Sequence, residues 1–472
     1  MKKIILCLFM ILSLLTGCSI NNDELYSKEN PVEVTIWTYY TGNQLTTFNN
    51  LIKKFNRTVG KEKGIVVESV SQGSITDLQE NILAALNNKA GSSNVPEMFL
   101  GYSDIAYQVD KLGKAIDLND YFTEEELDEY IDDYIANGDI LGDGRLLVFP
   151  IAKSTEVLTI NKTDWDVFAR ATNSSYDSLV TIEGLVDTAK KYYEWTDSLT
   201  TTPNDGKAFY GRDAIANYIF TGSKQLGHEI YTVKDGKVSL DFNQDVAYKL
   251  WENYYLPYIK GYFASSGRFR SDDVKTGHII CCVGSSSSAT FFPSSVTRED
   301  DSSYPIEVDA LPCPKFKDCK DYVVEQGAGI IVSKSNEAKQ SASIEFIKWF
   351  SDVKQNTDFS INTGYLPVKK KAINKNLISD EMSNGTRKIV EIAIKEVEEK
   401  ELFATKAFKK GTSARNYIEE IFTNVAKNDR EEVKNRLNSG MSLNKAIEPY
   451  NNKDYFNKWY QEVYSKLESF ID

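Results

Sequence analysis

Between Val32 and Leu112 the hydrophobic pattern switches back and forth between two periods, and this alternation narrows the fold to one class. "VEVTIW" (32–37) alternates and is β-branched, which is the pattern of a strand. "QLTTFNNLIKKFNRTV" then sets Leu45, Phe48, Leu51, Ile52 and Phe55 on one helical face. "GIVVESV" reads as a second strand. "ITDLQENILAALNNK" reads as a second helix, with Ile75, Leu78, Ile82, Ala85 and Leu86 inward. "EMFLGY" and "DIAYQVDKL" repeat the pair. Strands separated by helices run parallel and are joined by right-handed crossovers, so the chain opens as an α/β fold.

A second mixed α/β region follows. "TEEELDEYIDDYI" predicts an acidic helix with Thr123 as its N-cap, and strands are expected just before Pro150 and from Thr155 to Ile160. Helices are expected over 164–171, 181–195, 213–221 and from Asp245 to Tyr258. "EIYTVKDGKVSLDF" reads as a hairpin, because Asp235-Gly236 suits a type I′ turn. "HIICCVG", "YPIEVDALP" and "GAGIIVSK" read as strands. Helices are expected over 378–400, 414–427, 430–438, 441–449 and 453–470. A chain of 472 residues exceeds one ordinary core.

The N-terminal stretch has its own logic. Lys2 and Lys3 precede an apolar run from Ile4 to Leu15, the length of a secretory core and too short to span a bilayer. Leu15-Thr16-Gly17-Cys18 resembles the lipobox of bacterial lipoproteins, which implies acylation of Cys18, removal of residues 1–17 and a tether over 18–31. Net charge is −13, and losing Lys2 and Lys3 makes it −15, which argues against nucleic acid or an anionic membrane surface as the main partner. Cys313 and Cys319 are spaced to close a small loop, whereas Cys281 and Cys282 read as buried strand residues. Neither the cysteines nor His228 and His278 have metal-site spacing, so no metal and no cofactor is expected.

Three segments carry a resemblance. "IAKSTEVLTINKTDWDVFARA" (151–171), "GAGIIVSKSNEAKQSASIEFIKWF" (327–350) and "TGYLPVKK" (363–370) resemble, in order and spacing, the interlobe crossings and cleft loop of family 1 extracellular solute-binding proteins. "GHIICCVGSSSSATFF" departs from that family's usual small-residue form at Cys281-Cys282. The resemblance implies a two-lobe, type II periplasmic-binding-protein clamshell with discontinuous lobes and a helical C-terminal region. Lobe 1 would comprise 32–150 plus 327–364, and lobe 2 would comprise 151–326 plus 365–472. It also implies a monomer, anchored through Cys18, that hands a small solute to the permease of an ABC importer when its lobes close.

Ligand residues are expected on loops after the carboxyl ends of strands. Trp37 or Tyr39 would stack on a sugar face, although Trp37 also fits a core position. Asp104 would accept sugar hydroxyls, or else cap the next helix. Ser154 and Thr155 resemble the family's hydroxyl contacts, and Tyr365 resembles a cleft tyrosine. Ser286 and Ser287, in a serine-rich loop, would cradle oxygens of a sugar or phosphate, and Gly327 would admit backbone close to ligand. Arg415 resembles an arginine that grips phosphate in the family's glycerol-3-phosphate binders. Trp251, with Tyr254, Tyr255 and Tyr258, forms a stripe that reads as a packing face or as a sugar platform. Arg268 and Arg270 read as surface ion pairs or an anion clamp.

A sugar or oligosaccharide is the expected cargo; glycerol-3-phosphate or a glycerophosphodiester is the alternative. A secreted glycosidase is a distant third reading, since the chain has no nucleophile elbow, HExxH motif or P-loop.

Overall fold

Strand Val32–Thr38 lies between two parallel partners, Ile65–Ser71 and Met98–Gly101, as the opening alternation predicts. The protein is described by a computed structural model that covers residues 25–471 apart from 235, 374–377 and 379–381. Helices Gly42–Arg57, Ile75–Leu86 and Ser103–Lys111 form the connections. Phe48, Leu51, Ile52 and Phe55 are buried, and Ser74 starts the second helix with a reciprocal capping box to Asp77. Strand Gly329–Val332 returns from far along the chain and closes the far edge antiparallel to Met98–Gly101.

A second four-stranded sheet has the order Val308–Pro312, Glu156–Asn161, Cys281–Ser285, Tyr210–Arg212, with only the last pair parallel. Each sheet has its own hydrophobic core. Helix Asn384–Glu399 packs on Val308–Pro312 and Glu156–Asn161, and helices Gly411–Asn438 and Lys453–Glu468 pack against Gln244–Lys260.

Several expectations need correction. The strand expected directly before Pro150 does not form; Phe149 makes a single bridge to Ile330, bonded both ways at 2.8 Å. Thr123 does cap a helix, but the acidic segment divides into Glu124–Leu127 and Asp132–Gly138. The break comes where the Ile131 N–H leaves the helical ladder and donates to the Val368 carbonyl. Residues 414–427 and 430–438 belong to one helix, Gly411–Asn438, since no Gly or Pro interrupts them. The hairpin pairs Tyr231–Lys234 with Lys237–Leu240, but Asp235 lies outside the described residues, as do Cys18 and the signal segment. Cys313 and Cys319 are free thiols.

Three extended stretches pass side by side between the two sheets. Ser154 and Gln326 exchange backbone hydrogen bonds at 2.9 and 2.8 Å, and Lys153 and Leu366 at 3.0 and 2.6 Å. The Asn356 side chain ties two of them together: it donates to the Ile151 carbonyl (2.6 Å) and accepts from the Val368 N–H (2.8 Å). Lys153 and Glu325 form a buried ion pair at 2.5 Å, and Asn137 also donates to Glu325. Strand Glu401–Phe403 pairs with Tyr322–Val324, and the segment after it is held by the Ala407 N–H donating to the Ile140 carbonyl.

Candidate functional site

A cavity of about 400 Å³ opens between the two sheets, beside the crossings. That volume lies within the roughly 300–1,000 Å³ typical of small-molecule sites. One wall is the start of helix Ile75–Leu86, with Thr76 and Gln79, and the start of helix Ser103–Lys111, with Tyr102 and Asp104. The facing wall is helix Ile215–Gln225, through Asn217, Phe220 and Thr221, together with the first turns of Gly411–Asn438, through Thr412 and Arg415. Glu325 and Gln326 of the crossing line it too, with Phe403 and Phe408 of the segment that follows the 401–403 strand.

The polar groups fall into two sets. Asp104 accepts from Gln79 on its own wall (3.3 and 3.4 Å) and from the Thr412 hydroxyl on the facing wall (2.6 Å). Behind the facing wall, a buried Arg212–Glu156 ion pair continues through Asn217, which donates to Glu156 (2.8 Å), to Arg415, which donates to the Asn217 oxygen. Burial pushes the Glu156 carboxyl up from its usual range, against the pull of Arg212, Asn217 and Arg415. The chain of partners fixes Arg415 so that its charge faces the cavity. Two lining groups, the Thr221 hydroxyl and the Gln326 side-chain oxygen, are buried without a protein partner.

Of the expected residues, the structure brings Asp104 and Arg415 into the cavity. Asp104 stands in the first turn of its helix and Tyr102 holds the N-cap position, so Asp104 is not the cap. Tyr39 and Tyr365 lie just behind Tyr102, and their hydroxyls are 3.3 Å apart. Burial first, then the neighbouring phenols, hold the Tyr39 hydroxyl well above its usual value. Tyr102 is raised as well by desolvation, with Arg415 pulling the other way, although much of the residue is exposed. All three phenols therefore keep their protons and remain donors.

The other expected residues do not line the cavity. Trp37 is core in its strand. The Thr155 hydroxyl donates to the Val324 carbonyl (2.9 Å), and its N–H donates to Ser286 Oγ (3.3 Å). Ser285 bonds to Ser154 and to Ser287, so the serine-rich loop satisfies itself rather than forming an open cradle. Gly327, at φ +100°, is required by the chain itself: a Cβ there would come within 2.6 Å of the Ala152 carbonyl oxygen. Trp251 is 1% exposed and stacked on Tyr255 at 3.7 Å, against Trp459 and Phe422, so it is core and not a platform. Arg270 is buried against Asp273 and Asp213 rather than displayed.

Sequence reasoning misses Tyr102, although it stands two residues before Asp104 in "GYSD", after the same strand end. Asn217 and Thr221 also left a signal, as polar residues inside a fully buried helix. Phe403 and Phe408 left none, because no periodic pattern marks "LFATKAF".

The family model of bacterial extracellular solute-binding proteins matches residues 50–386. No curated protein sequence matches the chain. Solved structures with the same fold include the cyclic alpha-maltosyl-1,6-maltose binding protein from Arthrobacter globiformis (16% identity, 92% of this chain and 99% of that one, TM-score 0.63). UgpB from Mycobacterium tuberculosis in complex with glycerophosphocholine is 18% identical, with the same coverage and TM-score. Lmo0181 from Listeria monocytogenes in complex with cycloalternan is 16% identical over 91% of this chain and 98% of that one, with TM-score 0.63.

Proposed function

This chain belongs to the bacterial extracellular solute-binding proteins, and from that premise we propose that it captures a sugar or oligosaccharide between its lobes and delivers it to an ABC permease. The lobes of this reading are 32–150 plus 327–364 and 151–326 plus 365–472, tethered to the membrane by acylated Cys18. The observation that carries the ligand class is the lining itself. Aromatic faces (Tyr102, Phe220, Phe403, Phe408) stand around the Asp104 carboxylate, with Gln79, Thr412 and Arg415 in the same lining. A polyol offers apolar C–H faces to the rings and hydroxyls that donate to the carboxylate. The bond from Thr412 to Asp104 joins the walls directly, so ligand contacts on both walls favour the closed state, and that difference in affinity drives closure.

Glycosidase chemistry needs two working carboxylates. Of the two that line the cavity, Glu325 is bound to Lys153 and Asn137, which leaves Asp104 alone. Glycerol-3-phosphate or a glycerophosphodiester is the second reading, and the specific observation in its favour is the Arg415 guanidinium in the wall.

Thermal-shift titration against panels of sugars and phosphate esters tests the choice. A ligand at 100-fold its Kd adds about 2.7 kcal/mol. Stabilisation by an oligosaccharide is expected; stabilisation by a glycerophosphodiester and by no sugar would overturn the first reading.

A further inference from the structure

A second cavity, also of about 400 Å³, lies at the outer edge of the second sheet and shares no residue with the first. Its floor is the turn that follows helix Gln244–Lys260, with Gly261, Phe263 and Ser265, beside edge strand Tyr210–Arg212. One side is a face of helix Gly411–Asn438 that presents Lys427, Arg430 and Lys434.

Arg430 is set there by construction. Its guanidinium donates to the Ile259 carbonyl (3.0 Å) and lies against the Tyr193 hydroxyl. Gly261, at φ +86°, leaves the space it fills, because a Cβ at that position would come within 2.4 Å of Nη2. Among the described residues no carboxylate lies within ion-pair distance of Arg430 or Lys427; Glu431 is engaged by Lys434 at 2.7 Å. Burial depresses the Arg430 pKa, and it likewise lowers that of nearby Lys260, whose neighbour Lys190 adds to the effect. A guanidinium stays charged regardless. The result is an uncompensated positive recess on a protein of net charge −13.

We propose that this recess binds a phosphate oxyanion. The guanidinium offers a planar fork with three or more N–H groups left over, Lys427 offers a mobile ammonium, and Ser266 lies in the lining. That donor supply exceeds what a single carboxylate accepts and matches the oxygens of a phosphate. The site stands independently of the ligand read into the interlobe cavity.

Inorganic phosphate titrated into the full chain, at ionic strength held constant with sodium chloride, tests it by thermal unfolding. A saturable rise in Tm is expected in the wild type and in Arg415→Gln. Arg430→Gln and Lys427→Gln should each weaken the apparent affinity by about tenfold or more. Lys427 is exposed, so its variant keeps the test informative if Arg430→Gln fails to fold. A saturable response in solution without vesicle binding assigns the site to free phosphate. Co-sedimentation with phosphatidylglycerol vesicles that is lost in Lys427→Gln assigns it to a lipid headgroup. No response beyond the chloride control would overturn the proposal, as would a response unchanged in both variants or one lost only in Arg415→Gln.

Discussion

The half of the molecule built on the second sheet has two interiors of opposite kinds. One is the aromatic stack of Trp251 with Tyr255, Trp459, Phe422 and Phe456. The other is polar. Arg212–Glu156 runs through Asn217 to Arg415 and the cavity, while Glu396–Lys400 lies close enough to Cys313 that both pairs act on its thiol. From the residues alone the Trp251, Tyr254, Tyr255 and Tyr258 stripe reads as a packing face or a sugar platform; the structure makes it packing, and the polar chain is what reaches the cavity. The stack stabilises through contact area and shape, and it tolerates no water. The chain depends on every partner being present, since a buried charge without its counterpart costs several kcal/mol. A wall that meets ligand must hold polar atoms at fixed positions, and only the second kind of interior does that.

The largest expected effect separates the two directly. Trp251→Ala removes a fully buried indole and should cost about 3–5 kcal/mol of stability, read from urea unfolding. Ligand affinity per folded molecule should not change, because Trp251 touches no cavity wall. A loss of affinity measured calorimetrically under folding conditions would erase the distinction drawn here.

The difference in kind also explains how much could be read in advance. Strands 32–38, 65–71 and 98–101 were legible because each is followed by a local amphipathic helix, although their order was not, since 98–101 passes over 65–71 to pair with the far side of 32–38. The second sheet was legible in its strands but not in their arrangement: Val308–Pro312 pairs with Glu156–Asn161 across a long span of chain, and no local pattern encodes that. The site followed the same rule. Asp104, after a strand's carboxyl end, and Arg415, singled out through a resemblance, both line the candidate cavity. Ser286, Ser287 and Gly327 do not line it, because serines and glycine serve chain geometry as readily as ligands, and only the partners they meet decide which.

A smaller effect turns on the titration of one carboxyl in the polar interior. Burial raises the Glu396 carboxyl to about 7, against the pull of Lys400. The unfolded chain then loses this proton first as pH rises. The group's favourable contribution is complete below about 4.5 and is lost as pH climbs from there to about 7, a change on the order of 3 kcal/mol. Replacing the carboxyl by an amide removes the dependence. Glu396→Gln should therefore gain stability relative to wild type between about pH 5 and pH 8 in urea unfolding. A flat difference across that range would mean that the polar interior is better solvated than its burial indicates.

The smallest effect in energy decides most about function. Asp104→Asn keeps the shape of the wall and removes its charge. The Thr412 hydroxyl and Gln79 amide still have one oxygen to meet, so stability should stay within about 0.5 kcal/mol. The ligand tells the two readings apart by sign. A neutral sugar loses a charge-assisted acceptor for its hydroxyls, and its affinity should fall about tenfold, close to 1.4 kcal/mol. A phosphate ester gripped by Arg415 suffers like-charge repulsion from Asp104 across the same cavity, so its affinity should rise when that charge is removed. Calorimetric titration of the one variant with both ligand classes therefore assigns Asp104 as a sugar acceptor or as an obstacle to anions, by the direction in which Kd moves.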